Sequence, residues 1–212
     1  MDLRLELGEE LGRILEEFLK AREKELKGKV GVTDLLRCPR FKRPPEPSGA
    51  VLRGVLFHEG LAAAARTVGG CSVEDERSAD VDGFTVCFKP DLVADGAVYE
   101  FKTVRKLHGG RAYEHHLAQA CIYAALLNAD RAVLVYYVAS EDRFAVFKAA
   151  LTGEDRKKAM ELLRRRAEAY RLGARSPMWE WECRLCQDAA CPNKKQLKAE
   201  DEKQLKEDCA EP

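Results

Sequence analysis

From Phe84 to Thr103 the chain reads Phe-Thr-Val-Cys-Phe, then Lys-Pro-Asp91-Leu-Val-Ala, then Asp95-Gly96, then Ala-Val-Tyr-Glu100-Phe-Lys102-Thr. Two β-rich runs divided by Asp-Gly predict an antiparallel hairpin, because both positions of such a turn need positive φ and this pair accepts it. The hairpin fixes chemistry as well as shape. Asp91 lies in the hairpin and Glu100 on its second strand, so both carboxylates can reach one ion. Glu100 and Lys102, two apart on a strand, share a face. The triplet Glu25-Leu26-Lys27 has the same form but falls in a helical stretch, where the two side chains diverge.

Two carboxylates and a lysine are parts for metal-dependent phosphodiester hydrolysis, which needs a divalent cation, a water near phosphorus and a positive group beside the developing charge. Carboxylate oxygens suit Mg²⁺ or Mn²⁺, and an added imidazole such as His58 shifts the preference toward Mn²⁺. Lys102 beside the metal can orient the attacking water. Gln119 and Tyr123, four apart on a predicted helix, share a face on which His115 also falls. They can position the substrate backbone or hydrogen-bond the lysine.

Around this core the pattern alternates. Leu7, Leu11, Ile14, Leu15, Phe18 and Leu19 recur at helical spacing and predict a helix over about residues 3 to 27. Thr33-Asp34 can cap a short helix that delivers Cys38-Pro39. Residues 39 to 50 form a basic irregular arm. Helices are predicted over Val51 to Thr67 (carrying His58), Tyr113 to Asn128 and Gly153 to Leu172, and strands over Ala132 to Ala139 and Phe144 to Lys148. This order predicts an α/β fold with a small mixed sheet flanked by helices. A chain of 212 residues suits one domain. We take residues 1–193 as that domain and 194–212, rich in Lys, Glu and Asp, as a charged tail.

Charged residues make up 34% of the chain, with no net charge. A uniformly basic nucleic-acid binder is thereby excluded, and any DNA contact must come from local patches. The candidates are Arg40 and Arg43 in the arm and Arg105, Lys106 and Arg111 in the loop after the hairpin. The N-terminus is too charged for a signal peptide, and no apolar run approaches the roughly 20 residues of a membrane span. The expected location is the cytoplasm.

There are eight cysteines, and in that compartment cysteines favour metal over disulfides. Cys183-x2-Cys186-x4-Cys191-Pro192 supplies three ligands for zinc or iron–sulfur. Cys38 is the fourth by choice, on a charged turn beside a proline; Cys209 competes from the tail. A lobe of residues 176–193 with Cys38 would clamp the two ends of the chain together. Cys71, Cys87 and Cys121 read as buried thiols. Asn stands only at 128 and 193, a composition common in proteins of hot environments, where a Cys71–Cys87 disulfide becomes an option. Trp179 and Trp181 precede the trio and either pack on the cluster or stack on bases. Arg164-Arg165-Arg166 reads as the solvated face of a helix.

Leu36-Arg-Cys38-Pro-Arg40, Gly54-Val-Leu-Phe-His58, Pro90-Asp91, Glu100-Phe-Lys102-Thr103, Gln119-x3-Tyr123 and the C-terminal cysteines, in that order, resemble the CRISPR-associated RecB-like exonucleases, in which a PD-(D/E)xK nuclease core carries a four-cysteine iron–sulfur cluster. One position departs: Phe88 stands where that family often has glycine. The resemblance implies that His58, Asp91 and Glu100 hold Mn²⁺ or Mg²⁺, that Lys102 is catalytic, and that Gln119 and Tyr123 support it. It implies cluster ligation by Cys38, Cys183, Cys186 and Cys191, with 4Fe-4S expected over 2Fe-2S. The activity implied is cleavage of single-stranded DNA from an end, 5′ to 3′, preparing spacers beside CRISPR integrase proteins. A repair nuclease of the same chemistry is one rival, and a catalytically silent zinc-stapled DNA- or protein-binding module is the other.

Overall fold

In chain order the elements are α1 (Val32–Leu35), α2 (Gly49–Val68), β1 (Ser72–Val73), β2 (Arg77–Val81), β3 (Phe84–Phe88), β4 (Leu92–Ala94), β5 (Ala97–Val104), a 3-10 turn (His108–Gly110), α3 (Glu114–Leu126), β6 (Arg131–Val138), β7 (Arg143–Ala150), α4 (Gly153–Arg171) and α5 (Glu180–Leu185). The computed structural model describes residues 29–42, 49–68 and 70–193, with Arg13 and Glu17. The predicted first helix (apart from those two residues), Arg43 with the rest of 43–48, and the tail with Cys209 lie outside the described residues.

The Asp95-Gly96 hairpin forms as predicted. Ala94 pairs with Ala97 across it, and the turn residues adopt φ of 50° and 68°. A second turn of the same kind, Asp82-Gly83 at φ 52° and 77°, joins β2 to β3 as a separate two-stranded ribbon. The sequence reading had no strand at β2. The main sheet has the order β1-β4-β5-β6-β7; only the β5–β6 pair is parallel, and α3 makes the crossover between them.

Register gives the sheet two distinct faces. Val98, Glu100 and Lys102 of β5 lie beside Ala132, Leu134 and Tyr136 of β6. That face is closed by α3, whose Tyr123 and Ile122 are buried, and by Leu163 and Ala167 of α4 beyond. On the other face lies α2, where Phe57 stacks on Tyr137 with ring centroids 5.2 Å apart and His58 meets Phe101 edge-on at 6.4 Å. One feature of the register matters most for chemistry. β4 ends where Leu92 pairs with Tyr99, so beyond that point β5 has no strand on its β4 side.

Three expectations are corrected. α1 opens at Val32 behind Gly31, with the Asp34 carboxylate accepting the Gly31 amide at 3.1 Å, so Thr33 and Asp34 lie inside the helix rather than before it. Arg166 is buried, unlike a solvated-face residue. Its guanidinium donates to the carbonyls of Leu35, Arg37 and Ser176 at 2.8, 2.5 and 2.9 Å, because the C-terminal end of α1 has carbonyls that need donors. Cys71, Cys87 and Cys121 are half-buried free thiols, with no disulfide between the first two.

Candidate active site

Where β4 stops, a side chain replaces the missing strand. The Phe101 amide of β5 donates to Asp91 Oδ2 at 2.6 Å, which holds the Asp91 carboxylate against the open end of the hairpin. Its other oxygen, Oδ1, lies 2.5 Å from His58 Nε2. Burial works against charge on His58, but the hydrogen bond to Asp91 and the charges of Asp91 and Glu74 outweigh it and raise its pKa. Through the strand lies Glu100, completely buried, with Oε2 2.8 Å from Lys102 Nζ. Burial pushes the Glu100 carboxyl up to about 7 against the pull of the lysine. For Lys102 burial is again opposed, by Glu100 and Asp91, and the ammonium is held above its ordinary value.

Gln119 and Tyr123 of α3 share a face as predicted and are hydrogen-bonded to each other at 3.2 Å. Burial and the charge of Glu100 raise the Tyr123 phenol, so it stays protonated. His58, Asp91, Gln119 and Tyr123 line one cavity of about 350 Å³. Lys102 and Gln119 line a second, of about 270 Å³, with His115, His116, Trp179 and Trp181. Gln119, with Thr33 and Arg37, therefore stands between the two.

The residue that sequence reasoning missed is Glu74. It is held in the left-handed region at φ 53°, and its amide donates to the Asp91 carbonyl at 3.2 Å. Its carboxylate, nearly buried, lies 3.1 Å from His58 Nδ1 and 2.9 Å from Arg66. The run Val-Glu74-Asp-Glu reads as surface charge, and only the pairing of β1 with β4 brings it here.

Donor chemistry fits a hard divalent cation. Among the described residues, Glu100 Oε1 is buried without a hydrogen-bond partner, and the buried Glu74 Oε1 and His58 Nδ1 face each other at 3.1 Å without forming an aligned hydrogen bond. Ligand atoms of His58, Glu59 and Glu74 lie within 4.8 Å of one another. The predicted trio of His58, Asp91 and Glu100 is only partly gathered: His58 touches Asp91, whereas Glu100 is engaged by Lys102.

The cysteine lobe is hydrogen-bonded to the chain at the end of α1. Burial raises the Cys183 thiol, and the neighbouring Cys191, Cys38, Glu182 and Cys186 raise it further, so all four sulfurs share one neighbourhood. Amides of Lys42 and Asp188 approach Cys186 Sγ at 3.4 and 3.5 Å, the kind of N–H···S contact that steadies a thiolate ligand. Glu182, itself buried, accepts from the Cys38, Met178 and Trp179 amides at 2.7, 2.7 and 3.0 Å.

The predicted DNA contacts scatter. Arg105 and Lys106 line one surface cleft with His108 and Tyr113, while Arg111 is exposed outside it. Arg40 donates to the Gly173 carbonyl at 2.9 Å, tying α1 to the end of α4.

No family model matches the chain. The CRISPR-associated exonuclease Cas4 of Saccharolobus solfataricus is 28% identical to it over 204 residues, covering 87% of this chain and 96% of that protein. The resemblance to the CRISPR-associated RecB-like exonucleases stands. A crystal structure, that of SSO0001, superposes with a TM-score of 0.64 at 25% identity, over 85% of this chain and 96% of that one. The chain thus shares with that structure a mixed α/β fold, a five-stranded mixed sheet flanked by helices. Among the described residues no helix is long and apolar enough to cross a membrane.

Proposed function

We propose that this chain is a divalent-metal-dependent exonuclease on single-stranded DNA, working 5′ to 3′, that carries an iron–sulfur cluster and prepares DNA for CRISPR spacer acquisition. The observation that carries the reading is the pairing of His58 with Asp91 and of Glu100 with Lys102 where β5 loses its neighbour strand. A charged lysine and a fully buried acid are brought together there, an arrangement without evident value to stability alone.

His58, Asp91 and Glu100 would hold Mn²⁺ or Mg²⁺, with Glu74 behind His58. The cation, when bound, supplies Lewis acidity toward the phosphate. Lys102 keeps its proton and sets a positive charge beside the reacting phosphate. Asp91, pinned through Phe101, keeps its direction, and Gln119 with Tyr123 fixes the side of the lysine facing α3. Cys38, Cys183, Cys186 and Cys191 would hold the cluster, whose part is to join α1 to the C-terminal lobe. In this reading residues 1–193 act as one domain in the cytoplasm, with CRISPR integrase proteins as partners. The cleft at Arg105 and Lys106 would lie along the DNA backbone.

The test follows end-labelled single-stranded DNA with anaerobically purified protein and Mn²⁺, comparing wild type with Lys102→Ala. Shortening by wild type alone is expected, from the 5′ label first. Two inert proteins that still bind DNA would end the nuclease reading in favour of a binding module.

A further inference from the structure

The cavity beside Lys102 has walls of an unusual kind for a site surrounded by charge. His115 stands 5.1 Å from Trp181 and 5.9 Å from Trp179, centroid to centroid, and 4.1 Å from His116. Both imidazoles are neutral. Burial, aided by Arg37 and Lys102, holds His115 down at about 4, and burial with Lys102 and His115 holds His116 at about 2. The Tyr136 hydroxyl accepts the Tyr113 amide at 3.1 Å and lies 3.0 Å from His116 Nδ1, which fits a hydrogen bond donated to an unprotonated ring nitrogen. One wall is thus flat, uncharged and aromatic, and Arg37 and Lys102 supply positive charge around it.

One polar group there is unspent. Trp179 Nε1 donates to the Leu36 carbonyl at 3.3 Å, but Trp181 Nε1 is buried with no partner among the described residues. Packing alone would leave such an N–H satisfied or in water. A cavity of about 270 Å³ is small for a ligand site, with room for one planar ring system. It opens beside Lys102, and Thr33, Arg37 and Gln119 line both it and the cavity that holds His58 and Asp91.

We propose that this cavity is a subsite for one nucleobase of the single strand, stacked against His115 with an edge acceptor taking the Trp181 indole N–H. The inference rests on the nuclease reading of the cavity next door: the phosphate lies by Asp91 and Lys102, and the attached base turns across Gln119 into the aromatic pocket. Stacking accepts any base, so sequence preference is weak.

The test uses cluster-loaded full-length protein with Ca²⁺ to slow cleavage, and single strands carrying 2-aminopurine at one position at a time. Strong quenching of the fluorescent base at one position is expected, relieved in Trp181→Ala and His115→Ala. An abasic residue there weakens wild-type binding roughly 5- to 100-fold, the worth of one stacked base, and weakens the Trp181→Ala protein far less. Trp181→Phe keeps the stack and loses the N–H, so it quenches with lower affinity and reads the site even if Trp181→Ala disturbs the lobe. Equal quenching at every position, or quenching indifferent to both variants, overturns the subsite. With Mn²⁺ the readings separate: a protein that quenches at one position but cuts nothing keeps the subsite and loses the nuclease. A protein that cuts intact and abasic strands equally keeps the nuclease and loses the subsite.

Discussion

Glu100 and Glu182 are both shut away from water, at 0% and 1% exposure, and they are opposites in every other respect. Glu182 receives three backbone amides over its two oxygens and ties Cys38 to the chain around Trp179. Glu100 has Lys102 on one oxygen and nothing on the other among the described residues, and its carboxyl is pushed up to about 7. A buried acid with both oxygens answered is architecture. A buried acid left half-answered beside a lysine is aimed at something the protein binds.

The largest effect should come from the half-answered acid. Glu100→Gln is expected to lower cleavage by on the order of 10³-fold, as removal of one preorganised charge does, while the chain stays folded. In metal-free buffer the variant should gain stability, with a defined pH trend. Because the folded pKa stands near 7 against an ordinary 4.5, the native protein holds this proton more tightly than the unfolded chain. Wild-type stability from this group is full below about pH 4.5 and is lost as pH rises through 7. Denaturant titration in chelator should therefore show the gap between variant and wild type widening from pH 5 to pH 8. A gap that stays flat removes the contrast.

Next in size is the answered acid. Glu182→Ala orphans three amides and should cost about 3 to 5 kcal/mol in the lobe. The readouts are iron content, absorbance near 400 nm and proteolysis within 176–193. Glu182→Gln retains one acceptor oxygen and should lose about half as much. A protein that keeps its iron after Glu182→Ala would show that the lobe does not depend on this residue.

A smaller effect is expected from Glu74→Gln, which leaves His58 in place but removes the carboxylate behind it. Mn²⁺ binding followed by calorimetry should weaken about 10- to 100-fold, the usual loss for a group that orients a ligand. A change under twofold would make Glu74 only an ion partner of Arg66. The smallest effect concerns the neutral imidazoles. Their folded pKa values lie below 6.5, so the stability they carry is present above pH 6.5 and lost as pH falls toward 4 for His115 and toward 2 for His116. After allowance for solvent near the cavity mouth, this is on the order of 1 kcal/mol, or about 2 to 4 °C in Tm. His115→Phe should flatten that acid slope in a thermal melt.

Much of this was legible along the chain because it is local. The Asp95-Gly96 turn, the shared face of Glu100 and Lys102, and the Gln119–Tyr123 pair follow from periods of two and four. The strand β2 escaped notice although Asp82-Gly83 carries the same turn signal, because Arg77, Ser78 and Asp80 face water and only Val81 is buried. Glu74 and Arg166 were unreadable for another reason. Each looks like surface charge beside its neighbours, and each is buried by a partner far along the chain: β4 for Glu74, and the end of α1 for Arg166.

The bond between the Cys38 amide and Glu182 spans 144 positions. The hydrolytic residues are complete by Tyr123, but β5 is paired with β6 and its face is closed by α3 and α4, so their frame needs the chain through Arg171. The indole side of the cavity by Lys102 closes only when residues 176–193 have been made and the lobe has docked at the end of α1. Without that lobe the acids and lysine have no indole wall opposite them, so the cavity stays open until residues 176–193 dock.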